Sequence, residues 1–180
     1  KNSKIIDKIC AAIKSVETVK ILDIDMGADT NRTVVTFIAE SEYVGKAAYK
    51  GIEKAAELIN MSKHVGAHPR MGATDVCPFI PVSNVSMEDC IEIAKQLGQK
   101  VGEQLKIPVF LYEMAALNEE RKNLANVRSG EYEGLDEKMK DHNWKPDFGP
   151  RKINVKAGAT AIGAREFLIA YNINLNTTDR

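Results

Sequence analysis

The chain has no long apolar run, few aromatic residues (6%) and no net charge. Its apolar runs fall well short of the roughly 20 residues that a membrane helix needs, and no signal peptide is visible. Its 25 Lys and Arg balance 25 Asp and Glu, so it offers no basic surface for nucleic acid or an anionic membrane. Its three cysteines are odd in number and lack metal-binding spacing, which indicates reduced thiols. These deficits predict a cytoplasmic protein with neither a membrane nor a nucleic-acid partner.

Histidine is scarce too, and its spacing argues against a metal site. Only three histidines occur, of which His64 and His68 lie four residues apart. Such a pair on a helix can bind zinc. Here Gly66 and Pro69 interrupt a helix, and no Glu follows His64 as zinc proteases require. We therefore predict no metal, and expect His64 to cap the preceding helix or to line a cleft.

Apolar spacing alternates between helical and strand periods along the chain. Helices are predicted over 3–16, 42–59 and 86–105, and strands over 19–24, 33–39, 76–82, 109–112 and 167–175. The charged stretch 118–141 is expected to form one or two exposed helices, and 144–163 a loop. Because helices and strands interleave, an α/β layer with helices on one face follows.

The segment from Gly66 to Pro78 is the most informative one. It reads G-A-H-P-R-M-G-A-T-D-V-C-P and connects a predicted helix to a predicted strand. Pro69 restricts its own backbone and pushes His68 toward extended geometry. A histidine and a cation on a stiff loop are what a catalytic site needs. An ordinary loop with polar residues facing water has the same composition, so composition alone leaves both readings open.

Ordered sequence blocks identify a family resemblance. The stretch His68–Pro81 resembles the signature loop of the formiminotransferase family, H-P-R-M-G-A-x-D-V-C-P-F-I-P. Further blocks are similar to the family's L-D-x-D and N-R-T at 22–33, D-M-S-[RK]-H at 60–64, W-x-P-D-F-G-P at 144–150 and G-A-T-A-x-G-A-R-x-F-L-I-A-[FY]-N-I-N-L at 158–175. The resemblance thus covers nearly the whole chain in order.

The resemblance implies a fold and an activity. The family's amino-terminal subdomain is α/β (α+β type), a mixed β-sheet layer with helices packed mainly on one face. The family moves a formimino group between N-formimino-L-glutamate and tetrahydrofolate, in histidine degradation and folate one-carbon metabolism. Folate is the co-substrate, and no metal is implied. His68 matches the catalytic histidine, and histidine, with an ordinary pKa of about 6.5, suits proton transfer near neutrality.

Asp25 is the second predicted catalytic residue. It lies at the carboxyl end of a predicted strand, where α/β sheets place their ligands, and it matches an acidic position of the family. We expect it to orient the His68 imidazole or to hold the amine of glutamate. The alternative is an Asx turn before Gly27 without a catalytic role.

Three arginines of the matching blocks are candidates for binding substrate carboxylates. Arg32, Arg70 and Arg165 each carry a guanidinium that can grip a carboxylate through two hydrogen bonds. Folate and glutamate both bring carboxylates. The alternative for each is a surface ion pair, so we expect at least one of the three to bind substrate.

The resemblance places folate on the segment from 149 to 158. Gly149, Pro150 and Gly158 match the family's pattern. The cationic and polar residues between them do not match, and they are candidates on charge alone, since they would meet the folate's glutamate tail; a solvated loop is the equal alternative. These residues are Arg151, Lys152, Asn154 and Lys156.

The expected domain organisation is one subdomain of a larger unit. We assign 1–175 to the amino-terminal subdomain, without the lead strand that the family carries, and 176–180 to the start of a linker toward a second subdomain. The full-length protein is expected to be a homo-oligomer, and this chain alone to be inactive. Ala67 stands where the family often has Glu. The rival hypothesis is therefore a non-catalytic folate-binding or scaffolding lobe.

Overall fold

The computed structural model describes residues 2–27 and 30–169. Within them, helices α1 to α5 span Ser3–Lys14, Ser41–Leu58, Met87–Lys100, Leu124–Arg128 and Leu135–Lys138. Strands β1 to β5 span Lys20–Gly27, Arg32–Ile38, Val76–Phe79, Val109–Glu113 and Thr160–Ala164. The predicted α/β class is confirmed. None of the helices in these ranges is both long enough and apolar enough to cross a membrane.

The strands form an antiparallel pair and a parallel triplet. β1 and β2 pair antiparallel, with Gly27 opposite Arg32 beside the turn. The second sheet has the order β3-β5-β4, and both of its pairings are parallel. Pro78 lies in β3, an edge strand, as predicted from its missing N–H. Within the described ranges, β2 and β3 each have one edge that no strand pairs.

Helices cover both sheets through distinct apolar clusters. α1 and α2 pack with β1 and β2 around Ile9, Ile13 and Ala55. α3 packs on the parallel sheet around Leu97, Val109 and Leu111. The alternate residues of β4, Phe110 and Tyr112, face the other side, where they meet α4 and α5. The long helices thus share one side, while the stretch 118–141, predicted to be exposed, buries Val127, Leu135 and Met139 on the other.

The predicted loop 144–163 is wrong at its end, because Thr160–Ala164 forms the fully buried central strand β5. Gly163 made this stretch look like a loop, yet a Cβ there would lie 2.5 Å from the carbonyl oxygen of Tyr112. The glycine thus permits close packing inside the sheet. The predicted strand 167–175 has no regular structure over 165–169, and its remainder lies outside the described residues.

Candidate active site

A cleft of about 1620 Å³ lies between the two sheets. Every residue of β2 and every residue of β3 lines it, so the unpaired edges of these strands face the same space. Small residues of α2, namely Ala48, Gly51 and Ala55, line it as well. His64, His68 and the three candidate arginines open into this cleft. The structure therefore brings most of the predicted catalytic and carboxylate-binding residues to one cavity.

Backbone pairing holds the signature loop to the start of β5. Gly72 and Gly158 form an isolated bridge, and the amide of Ala159 donates to the carbonyl of Met71 at 2.9 Å. A Cβ on Gly72 would lie 1.9 Å from the carbonyl oxygen of Ala159, so only glycine allows this approach. Gly158 has a φ of +73°, in the left-handed region that glycine tolerates. The predicted stiff loop therefore owes its rigidity to a second segment.

The β1–β2 turn packs against the same loop. Asn31 donates from its side chain to the carbonyl of Val65 at 2.8 Å, and its own carbonyl contacts Nε2 of His64 at 3.0 Å. A Cβ on Gly66 would lie 2.4 Å from the carbonyl oxygen of Thr30. These contacts bring β2 to His68. His64 lines the cleft, one of the two places predicted for it.

His68 is held at both of its ring nitrogens. Its Nδ1 lies 2.7 Å from the carbonyl oxygen of Pro69, while Nη1 of Arg32 lies 2.6 Å from Nε2 and 3.1 Å from Nδ1. A carbonyl only accepts and a guanidinium only donates. The contact with Pro69 therefore assigns a hydrogen to Nδ1, which donates to that carbonyl. A guanidinium nitrogen this close to both ring nitrogens lies over the face of the ring, so it leaves the in-plane lone pair of Nε2 free.

A second arginine and an aspartate stand beside Arg32. Nη2 of Arg128 lies 2.6 Å from Oδ2 of Asp75, whose Oδ1 accepts from the amide of Met71 at 2.9 Å. Burial lowers the pKa of Arg32, the positive charge of Arg128 lowers it further, and Asp75 raises it. Two guanidiniums and one carboxylate therefore share this part of the cleft. Their net charge is positive, which favours the binding of an additional anion.

Sequence reasoning missed the Asp75–Arg128 pair. Asp75 stands in the signature loop, so its position was a usable signal. Arg128 lies 53 residues further along, in the charged stretch, and nothing local distinguishes it from its charged neighbours. Both side chains are about 15% exposed, which the sequence pattern alone does not reveal.

Arg70 is committed to carboxylates of the chain itself. Its guanidinium contacts Glu133 at 2.6 and 2.8 Å and Glu131 at 2.9 Å, and its carbonyl accepts from the amide of Tyr132. The hydrogen bond with Glu133 is the main cause that raises the pKa of Arg70. Arg70 therefore ties the signature loop to 131–133 in this structure, which is the ion-pair alternative stated for it.

Arg165 follows β5 at the edge of the cleft. Its Nη1 donates to the carbonyl of Glu166 at 3.1 Å. It also lies close to Tyr112, where burial raises the pKa of the phenol to about 12 although the positive charge of Arg165 opposes the rise. Burial likewise raises the pKa of Cys77, in the signature loop, to about 12. The raised pKa disfavours the thiolate form of Cys77 near neutrality.

The structure does not bring Asp25 to His68. Asp25 is exposed, pairs with Val34 in the register of the hairpin, and does not line the cleft, whereas its neighbour Met26 does. Successive side chains of a strand point to opposite faces, which accounts for the difference. Its catalytic role stays a prediction without geometric support among the described residues.

The predicted folate segment lies outside the lining of the cleft. Gly158 reaches the signature loop through Gly72, and Gly149, with a φ of +83°, packs against Gly102. The side chains between them bind the protein's own carbonyls: Arg151 contacts those of Met139 and Lys140, Lys156 that of Glu57 at 2.6 Å, and Asn154 that of Lys106 at 3.4 Å. Pro150 is half-buried, and Lys152 is exposed.

A metal centre has no support in the part of the chain that the structure describes. No group of three or more His, Cys, Asp or Glu side chains is placed there to hold an ion.

Comparison with known proteins identifies the family. Residues 1–165 match the family described as formiminotransferase domain, N-terminal subdomain. The chain is 51% identical over 176 residues to a glutamate formimidoyltransferase of Thermoplasma acidophilum, covering 97% of this chain and 58% of that protein. It is 46% identical to the enzyme of the same name from Streptococcus pyogenes, covering 98% of this chain and 59% of that protein.

The chain spans only part of these relatives. It is also 51% identical over 177 residues to the formimidoyltransferase-cyclodeaminase of Mus musculus, covering 98% of this chain but 33% of that protein. It therefore covers between about one third and three fifths of the length of these relatives. By its signature loop, its fold and these matches, the chain belongs to the formiminotransferase domain family, as its N-terminal subdomain.

Proposed function

We propose that this chain is the catalytic half of a glutamate formiminotransferase, in which His68 is the general acid and base. The observation that carries the proposal is the placement of His68 in the cleft, where Nδ1 donates to the carbonyl of Pro69 and leaves Nε2 to take or give the proton. A base for an amine must be neutral and must turn a lone pair toward its substrate. The Pro69 carbonyl holds the hydrogen on Nδ1, so the lone pair that can take the proton is on Nε2.

The chemistry follows from the bonds that must change. N5 of tetrahydrofolate attacks the carbon of the protonated amidine of N-formimino-L-glutamate: a new C–N bond forms as the C=N π pair moves onto the imino nitrogen, and the N5 proton passes to Nε2 of His68. The tetrahedral adduct then collapses. The lone pair of the imino nitrogen re-forms C=N, and the bond from carbon to the glutamate nitrogen breaks as His68 gives its proton to that nitrogen. The formimino group has moved and His68 is unchanged, so one histidine serves both steps and no metal is needed.

The guanidiniums of Arg32 and Arg128 give the cleft a positively charged region that suits the substrate's carboxylates. N-formimino-L-glutamate carries two carboxylates, and a guanidinium grips such a group through two parallel hydrogen bonds. Arg32 is the best placed of the three candidates because it contacts the catalytic ring, whereas Arg70 is paired with Glu131 and Glu133. Arg165, at the rim, is the second candidate.

Tetrahydrofolate is the proposed co-substrate, bound on the side of residues 149–158. The Gly72–Gly158 bridge gives that segment a direct backbone link to the loop of His68. We further propose that 1–175 form the N-terminal subdomain, that 176–180 lead toward a second subdomain, and that the complete enzyme is a homo-oligomer. The greater length of the relatives supports the second subdomain.

Replacing His68 tests this function. In the complete enzyme, with both subdomains, His68→Ala should lower kcat by ~10² to 10⁴, because that is the usual contribution of a general acid or base. Folate binding should persist, since the folate segment is separate from the ring. The matched control is His142→Ala, which removes an exposed histidine from a short 3₁₀ turn and should leave kcat unchanged. A His68→Ala enzyme that retains most of its turnover would remove His68 from the mechanism.

A non-catalytic folate-binding lobe is the second candidate. Ala67 favours it, because the family often has Glu at this position and Ala67 provides no carboxylate next to His68. The same assay separates the two functions: a complete protein that binds tetrahydrofolate but transfers no formimino group is the binding lobe.

A further inference from the structure

Arg128 brings a guanidinium into the cleft from the charged stretch 118–141. It is the last residue of α4, its side chain is 15% exposed, and its Nη2 donates to Oδ2 of Asp75 at 2.6 Å. A guanidinium has five N–H donors. Within residues 2–27 and 30–169, the bond to Asp75 is the only hydrogen bond of the Arg128 side chain, and Nε is buried without a partner. Because buried donors are costly to leave unpaired, Arg128 has donors to offer to a ligand.

Asp75 does not balance the charge of this part of the cleft. Its Oδ2 accepts from Arg128 and its Oδ1 from the amide of Met71. The guanidinium of Arg32 lies over the ring of His68 and forms no ion pair with any residue that the structure describes. Burial lowers the pKa of Arg32, and the positive charge of Arg128 lowers it further, so the two guanidiniums are close enough to repel each other. An anion bound between them would relieve that repulsion.

We propose that Arg128 is a substrate-binding residue: its guanidinium, beside that of Arg32, binds a carboxylate of N-formimino-L-glutamate and makes the cleft specific for an acidic substrate. The proposal rests on the proposed formimino transfer, and it adds a residue that lies outside every block of the family resemblance. A carboxylate offers two charged oxygens that match the planar fork of a guanidinium. Asp75 is a positioning residue, which holds Arg128 through one N–H and leaves its other donors unused.

The alternative role for Arg128 is a purely structural ion pair that joins the signature loop to α4. Asp75→Asn separates the two roles, because an asparagine oxygen can still accept from the amide of Met71 but carries no charge. If Arg128 binds a substrate carboxylate, removing the competing carboxylate of Asp75 leaves the affinity unchanged or raises it. If the pair is only structural, Asp75→Asn weakens binding as much as Arg128→Gln does.

Calorimetric titration of the complete enzyme with glutarate measures this affinity without turnover. Glutarate has two carboxylates and no amine, and glutaramide is its neutral match in size. Arg128→Gln should raise the Kd of glutarate by roughly 10- to 100-fold, the usual effect of losing hydrogen bonds to a charged group. Arg128→Lys keeps the charge without the fork, so its Kd should lie between the two. Glutaramide should bind the wild type no better than it binds Arg128→Gln.

Lys122→Gln is the matched control. It also removes one cation from the charged stretch, but from an exposed ion pair with Glu119, so the Kd of glutarate should not change. A Kd that rises equally in Arg128→Gln and Asp75→Asn, or that does not rise in Arg128→Gln, would overturn the proposal.

Substrate amides identify the carboxylate that Arg128 binds. In the complete wild-type enzyme, converting that carboxylate of N-formimino-L-glutamate to an amide should raise KM. In Arg128→Gln the same amide should cost nothing further, whereas the amide at the other carboxylate should still raise KM. The α-amide and the γ-amide are therefore compared. Amide penalties that Arg128→Gln leaves unchanged at both positions, or a rise in KM for tetrahydrofolate alone, would contradict the assignment.

The two measurements separate this site from the proposed function. Glutarate binding that depends on Arg128, in a complete protein that transfers no formimino group, would keep the carboxylate site and remove the activity. Formimino transfer by Arg128→Gln with unchanged KM values and unchanged glutarate affinity would keep the activity and remove the site.

Discussion

Single residues in this subdomain draw their properties from partners far away in sequence. His68 has its tautomer from the neighbouring Pro69, but its second contact, with Arg32, comes from 36 residues earlier. Arg121 and Asp147 form a buried ion pair at 2.5 Å, and the amide of Leu111 donates to the same carboxylate. A loop histidine can be found from the sequence, because the chemistry of its neighbours is local. The arginine that contacts it cannot be found in this way, because no local pattern encodes a long-range contact.

Tyr112 gives a pH prediction at this scale. Burial raises the pKa of its phenol from 10.0 to about 12, so the unfolded chain loses this proton first as the pH rises. The stabilising contribution is therefore fully present below about pH 10 and is lost as the pH rises toward 12. The free energy of unfolding of the wild type, relative to Tyr112→Phe, should fall by about 2 kcal/mol up to pH 12, where the folded phenol is itself half titrated, on the scale of 1.36 kcal/mol per pKa unit.

Urea denaturation of both proteins at pH 9 to 12, in about half-unit steps, measures this difference. Comparing the two proteins cancels the titration of all other groups that the substitution leaves in place. A difference that stays constant across the window would show that the phenol of Tyr112 titrates in the folded protein as it does in the unfolded one.

At the scale of elements, local patterns found the helices and missed the central strand. The apolar period of 3.6 residues marks α1, α2 and α3 because each of them packs one face on a sheet. β5 escaped because all five of its residues are buried, so it shows no alternation, and Gly163 resembles a breaker. The one or two helices predicted over 118–141 are present as α4 and α5, but they are not exposed as predicted, because helices this short show no apolar period although they bury Val127 and Leu135.

The capping box of α3 gives a prediction at this scale. Oγ of Ser86 accepts from the amide of Asp89 at 3.1 Å, and Oδ2 of Asp89 accepts from the amide of Ser86 at 2.9 Å. Ser86→Ala should lower the free energy of unfolding by about 1 kcal/mol, the typical value of a lost N-cap. Ser15→Ala is the control. Ser15 lies just after the end of α1, and its hydroxyl donates to the carbonyl of Ala12, so this variant also loses one serine hydrogen bond at a helix end but no N-cap. Equal midpoints in urea for Ser86→Ala and the wild type would show that the box contributes nothing.

At the scale of the whole molecule, we expect the chain to fold on its own but to bind its substrates only weakly. Three apolar clusters give the chain a core of its own. The cleft, however, is wide and open along two strand edges, and ligand sites usually enclose most of their ligand. In the two-subdomain enzyme that we propose, the second subdomain would close this open cleft, and the greater length of the relatives supports that proposal.

Calorimetry of residues 1–180 tests that separation. The chain should unfold in one cooperative transition, but its midpoint should barely move with tetrahydrofolate. A ligand present at 100 times its Kd would add about 2.7 kcal/mol to the free energy of unfolding, so weak binding is readily distinguished from tight binding. The complete enzyme is the control and should show the shift. Full formimino transfer by this chain alone would show that the second subdomain is dispensable.

The two strand edges that face the cleft have a further consequence, for self-association. In the described part of the chain β2 and β3 both present backbone N–H and C=O groups that no other strand satisfies, and β2 carries Val34, which is 45% exposed. Such an edge is a template on which another chain can add a strand, as in domain swapping and fibre growth. At high concentration, copies of this chain can therefore pair edge to edge through the cleft that we propose holds the substrates. A ligand that fills the cleft should then also reduce aggregation.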